Sequence, residues 1–112
     1  MATLILAALL QGAPAATPAG PVAQEATPGA KPYIAQGIGL YKRRRFRAAA
    51  GQFRKAVEAD PGSAAAEYYL GYSLYKIGEP TRRLTPEKQE SRDHFARCFE
   101  LDPLFRPTWT AP

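Results

Sequence analysis

The sequence predicts an all-α protein built from two helix-turn-helix hairpins, and three observations carry that expectation. First, the chain repeats itself. "GIGLYK", Gly37 to Lys42, returns as "GYSLYK", Gly71 to Lys76, displaced by 34 residues. "FRKAVEADP", Phe53 to Pro61, returns as "FARCFELDP", Phe95 to Pro103, displaced by 42, so the second copy holds eight extra residues between its matching blocks. Second, apolar residues recur within each copy at helical spacing. Third, no period-two run of β-branched residues marks a strand.

The elements follow in chain order. The opening "MATLILAALLQGAPAA" has an apolar run from Leu4 to Leu10, then Ala13-Pro14-Ala15, small residues of the kind signal peptidase cleaves after. The run is too short for a bilayer-spanning helix, which needs about 20 apolar residues. Residues 1–15 are expected to be a secretory signal cut after Ala15, although the usual cationic leader is missing; a disordered apolar N-terminus is the alternative. Residues 16–32, rich in Pro and Ala, bury too little apolar surface to offset their ordering entropy and are expected to form a disordered linker.

The foldable part is 33–103, with repeats at about 30–63 and 64–103 and a tail at 104–112. In the first repeat Tyr33, Gly37, Leu40 and Tyr41 share one helical face, and Phe46, Ala49, Ala50, Phe53, Ala56 and Val57 form a second stripe. In the second, Ala66, Tyr69, Leu70 and Leu74 give one stripe, and Phe95, Cys98 and Phe99 another. Asp60-Pro61-Gly62-Ser63 stops one helix and caps the next. Thr85-Pro86-Glu87 is a helix start with a cap, a proline in the first turn and an acid at the positive dipole end.

A 34-residue helical hairpin with this pattern resembles the tetratricopeptide repeat. The first copy carries Tyr33, Gly37, Leu40, Ala49, Phe53, Ala56 and Pro61 at the family's positions; the second carries Leu70, Gly71, Leu74, Ser91, Phe95, Cys98 and Pro103. It departs from the pattern at Gln36, where Leu is usual, at Glu67, where Trp is usual, and by an insertion around 79–85. The resemblance implies an α-solenoid fragment in which Gly37, Ala49, Ala56 and Gly71 let facing helices touch. It also implies that the first helix of each hairpin lines a concave groove for a peptide or a partner helix. Here those places hold Ile34, Ile38, Tyr41, Lys42, Tyr68, Tyr72, Tyr75 and Lys76. Tyrosines suit an interface because they offer large area at low entropic cost.

No motif points to an enzyme: the chain has no glycine-rich phosphate loop, no paired cysteines and no nucleophile elbow. Catalytic residues, cofactor and metal are accordingly not expected. Glu90 and His94 lie four apart beside Asp93, a spacing for two metal ligands, but two ligands do not make a site. That charged segment reads as a solvated outer face. Cys98, the sole cysteine, reads as packing and allows no internal disulfide.

Net charge is +5, concentrated in "YKRRRFR", Tyr41 to Arg47. A nucleic-acid binder would use that cluster and would be cytosolic, yet Phe46 is its only interior aromatic residue. The repeat instead divides the cluster. Tyr41 and Lys42 match Tyr75 and Lys76, Arg43 to Arg45 fall at a helix end and turn, and Phe46 opens the next apolar stripe. The expectation is a non-catalytic protein-interaction module of a bacterial cell envelope, with an acidic partner favoured by charge and a membrane surface as a further alternative. Two hairpins leave an apolar end open. It is expected either to be lidded by Leu104, Phe105 and Trp109 folding over the last helix or to pair with another chain, including a second copy.

Overall fold

A computed structural model describes residues 29–110. The expected signal and all of the linker up to residue 28 lie outside the described residues. Within them the chain is all-α, with four helices and no strand: α1 (Lys31–Lys42), α2 (Phe46–Ala59), α3 (Ala64–Gly78) and α4 (Pro86–Leu101). Consecutive helices pack on one another as hairpins, and α1 also touches α3. α1 starts ahead of the expected boundary at Tyr33 because Pro32 falls in its first turn, where a missing N–H costs nothing.

The helix ends have local causes. The Arg43 N–H bonds back to the carbonyls of Gly39 and Leu40, and Arg44 takes a left-handed φ of 63° that turns the chain into α2. Ser63 Oγ accepts from the Ala66 N–H at 3.1 Å, and Thr85 Oγ1 from the Lys88 N–H at 3.2 Å. Each such cap stabilises its helix by about 1 kcal/mol. The two Asp-Pro stops are copies of one geometry. Asp60 has φ −146° and ψ 88°, Asp102 φ −149° and ψ 93°, and both N–H groups bond the residue four back at 2.9 Å. Each aspartate then accepts the N–H two residues ahead, Gly62 at 3.1 Å and Leu104 at 3.0 Å. Four of the eight extra residues of the second copy lengthen its loop, 79–85 against 43–45 in the first, and the others extend the helices on either side.

The core lies between α1, α2 and α3. Ala49, Phe53, Ala56 and Ala66 are wholly buried, with Ile34, Ile38, Tyr69, Leu70 and Leu74 around them. Gly37 is pressed against Phe53: a β-carbon there would stand within 2.7 Å of the ring's Cδ1 and Cζ. Gly71 meets α4 in the same way, with the Ser91 carbonyl 3.2 Å from the place a β-carbon would take. Ser91 Oγ seals that contact by donating to the Gly71 carbonyl at 2.7 Å. α4 differs from the expectation for its stripe: Cys98 is buried, Phe95 half-buried and Phe99 exposed, because among the described residues no further helix covers it. Among the described residues, no helix is long and apolar enough to cross a membrane.

Candidate functional site

The eight residues assigned to a groove separate into three groups. Ile34 and Ile38 lie in the core, 7% and 2% exposed, and outside the pocket that gathers the others; Ile34 instead lines a separate cavity of about 460 Å³ with Ala65, Tyr69 and Phe105. Tyr41, Lys42, Tyr72 and Lys76 come together around an open pocket of about 320 Å³, joined by Arg44, Phe46 and Trp109. Tyr68 and Tyr75 flank it, each about 6 Å from Tyr72 between ring centroids (5.9 and 5.8 Å).

The pocket has an aromatic floor and a cationic rim. Tyr41 meets Phe46 edge-on at 5.0 Å and Tyr72 at 5.9 Å. The Arg44 guanidinium and the Lys76 ammonium each stand 5.8 Å from the Phe46 ring centroid, within cation–π range. Lys76 is also paired with Glu79 at 2.8 Å, and that bond holds the exposed Glu79 carboxyl below its ordinary value. Lys42 and Arg44 are exposed and make no ion pair among the described residues. Burial pushes the Tyr41 phenol up to about 12, with the neighbouring Tyr72 and Glu79 adding to the effect. Tyr68 moves in the same direction, again chiefly by burial.

The tail behaves differently from the expected lid over the last helix. Leu104 is 84% exposed, and the outer face of α4 keeps Phe99 and Leu101 in solvent. Phe105 and Trp109 instead turn onto α1 and α3. Trp109 stacks on Tyr41 with centroids 4.3 Å and planes 29° apart, and touches Tyr69 and Tyr72 at 4.7 and 5.5 Å. Phe105 lies 5.4 Å from Tyr68. The backbone N–H groups of Thr108 and Trp109 both donate to Tyr69 Oη, at 3.3 and 3.4 Å. A non-helical piece of the chain thus lies on the face that the groove residues form.

A second cluster narrows the reading of the α4 segment as a solvated face: Gln89, Arg92 and Asp93 are exposed, but Glu90 and His94 are engaged in side-chain contacts. Glu67, 1% exposed, accepts from His94 Nδ1 at 2.6 Å and from Arg97 Nε at 3.2 Å. His94 Nε2 faces Glu90 at 3.3 Å, and Glu90 binds Arg54 of α2 through both guanidinium nitrogens. The hydrogen bond from Arg54 holds the Glu90 carboxyl below its usual range, and the same bond raises Arg54. The chain of contacts Arg54–Glu90–His94–Glu67–Arg97 ties α2, α3 and α4 together. The sequence held a signal for it: a charged residue at a register that buries an aromatic one needs a partner, and His94 and Arg97 share a face of α4. Among the described residues, no group of three or more His, Cys, Asp or Glu could hold a metal ion. Cys98 is wholly buried, and burial, helped by Asp102 and Glu67, pushes its thiol up to about 11, far from a reactive thiolate.

The cations of 42–47 lie around the corner between α1 and α2 and are exposed. Only Lys42 and Arg44 of them reach the aromatic pocket. Comparison of the chain with known protein families, with curated proteins and with solved structures gives no match in any of the three.

Proposed function

We propose that the chain is a non-catalytic protein-interaction module of tetratricopeptide-repeat type, which binds a peptide or partner helix across α1 and α3. The observation that carries the reading is the aromatic face of Tyr41, Tyr68 and Tyr72, on which a non-helical segment of the chain is already seated. The two matching Asp-Pro stops and the close contacts at Gly37 and Gly71 support the repeat assignment. Lys42 and Arg44 at the pocket rim favour an acidic partner. The apolar run from Leu4 to Leu10 is the support for an exported, cell-envelope setting.

Immobilised synthetic peptides probed with the purified full chain test the reading. The bound set should be enriched in aromatic residues with acidic neighbours, and Tyr72→Ala should abolish that binding while the helical circular dichroism remains. An unchanged set of bound peptides in Tyr72→Ala would sink it. Mass spectrometry of the mature N-terminus tests the setting separately, with a new terminus at Ala16 expected.

A further inference from the structure

We infer that residues Phe105 to Trp109 are an exchangeable internal ligand, and that the external partner enters by placing its own aromatic ring, with an acidic group beside it, in the seat of Trp109. The inference rests on the peptide-binding reading above and adds what the peptide must look like and what it must displace.

The seat is defined by contacts. Tyr41 stacks on the indole, Tyr72 meets it edge-on and Tyr69 closes the inner side. Nothing in this set is specific to a covalently attached tryptophan; an aromatic side chain from another chain finds the same faces. Beyond the indole, the tail is held by Phe105 against Tyr68 and Tyr69 and by few hydrogen bonds. Its two backbone donors share one hydroxyl, that of Tyr69, at 3.3 and 3.4 Å. Leu104, Arg106, Pro107 and Thr108 are exposed. Trp109 is held at φ 57°, a left-handed conformation that disfavours any residue with a β-carbon.

Trp109 follows Pro103 by six residues as Glu67 follows Pro61, yet Glu67 lies on a helix and Trp109 does not. The indole lies on the face formed by Tyr41 and Tyr72. Segments held this way belong to the low-stability end of a fold and open locally.

Charge defines the rest of the occupant. Lys42, Arg44 and Lys76 line the same pocket as the indole, whereas the tail itself brings Arg106 and no acid after Pro103. Lys76 is already paired with Glu79, but the resident segment leaves the Lys42 and Arg44 side of the rim unanswered. A partner with a carboxylate next to its aromatic residue would answer it and so gain over the tail. Because a tethered segment competes at high effective concentration, it lowers the apparent affinity of any competitor by the fraction of time the seat is open.

The test uses the tail's own sequence as probe. A fluorescein-labelled peptide of Leu104 to Thr110, LFRPTWT, is titrated into the full chain and into full-length Trp109→Ala. Saturable binding to Trp109→Ala, at least about tenfold tighter than to the unaltered chain, is expected. A peptide with glutamate at the positions of Thr108 and Thr110 should bind Trp109→Ala more tightly still, and Lys42→Ala with Arg44→Ala should remove that gain. Equal affinity for the two chains overturns the internal-ligand role while leaving peptide binding standing. No binding to a helical Trp109→Ala overturns the seat itself, and an acidic peptide that gains nothing overturns the partner chemistry. Should Trp109→Ala lose its helical signal, the unaltered chain decides. Its only tryptophan should shift to the red and become more quenchable as the acidic peptide, with Phe in place of Trp, is added; an unmoved spectrum overturns the inference.

Discussion

The Trp109 indole lies over the Tyr41 phenol, 4.3 Å between centroids, and joins the last described residues of the chain to the end of its first helix. The contact covers part of Tyr41, and three further aromatic rings, of Tyr68, Tyr69 and Tyr72, share the same indole. One side chain therefore sets the environment of the whole α1–α3 face.

The Tyr41 phenol should titrate near 12 instead of its ordinary 10.0. The folded value is raised, so the stabilising effect is complete below pH 10 and is lost as pH rises from about 10 toward 12. Ultraviolet titration of tyrosinate should show late phenols, since Tyr68 is raised as well, and the Tyr41 component is the one that disappears in Tyr41→Phe. In Trp109→Ala that phenol should move back toward 10, since the overlying ring is gone. An unchanged titration would mean that Trp109 does not cover Tyr41 in solution.

Gly37→Ala should destabilise the chain even though alanine favours helix by about 1 kcal/mol over glycine. The new β-carbon would collide with the buried Phe53 ring, which has no free side to retreat to. Overpacking of this kind costs about 1–3 kcal/mol and should outweigh the propensity gain. Phe53→Leu in the same chain should recover part of the loss. Urea denaturation of the two single variants and the double variant gives the coupling, and strict additivity would disprove the contact.

The sequence made some of this legible and hid the rest for physical reasons. Ser63, Thr85, Asp60 and Asp102 act on backbone groups two to four residues away, so local pattern sufficed to place helix ends. Gly37 and Gly71 were legible because the repeat put the same small residue at the same register. Ile34 and Ile38 were not. α1 is apolar on more than one side, with Tyr33, Ile34, Ile38, Leu40 and Tyr41, and periodicity does not say which side meets α2. The seat of Trp109 depends on a contact across 68 residues with no local constraint, and only tertiary packing selects it. Glu67 looked like a defect of the repeat because its partners lie on another helix.

His94→Ala should be more harmful than Arg97→Ala. His94 is mostly covered and supplies the shorter of the two hydrogen bonds to Glu67, a carboxylate that is 1% exposed. Removing it leaves a buried acceptor under-satisfied, at a cost of about 1–3 kcal/mol. The Arg97 side chain is 57% exposed, so water can take its place and the loss should stay below about 1 kcal/mol. Urea midpoints compare the two; equal losses would mean that Glu67 is not held chiefly by the histidine.

Glu90 gives the network a pH signature. Its folded carboxyl is held below the ordinary 4.5 by the hydrogen bond from Arg54, with His94 adding to the effect. A depressed folded value means that the native state holds the ionised form more strongly than the unfolded chain does. The stabilisation is therefore present above about pH 4.5 and is lost as pH falls through that value to the lower folded one. Its size is limited by water, because the Glu90 side chain is 35% exposed and Arg54 46%. Glu79 shifts in the same direction but lies wholly at the surface, so its share should be screened by salt. Unfolding followed between pH 6 and 3 should show a fall in stability that Glu90→Gln flattens and that 0.5 M salt reduces only in part. Glu79→Gln should leave the slope nearly intact. If the two substitutions flattened it equally, the acid sensitivity would belong to the general surface charge and not to the Arg54–Glu90 bond between α2 and α4.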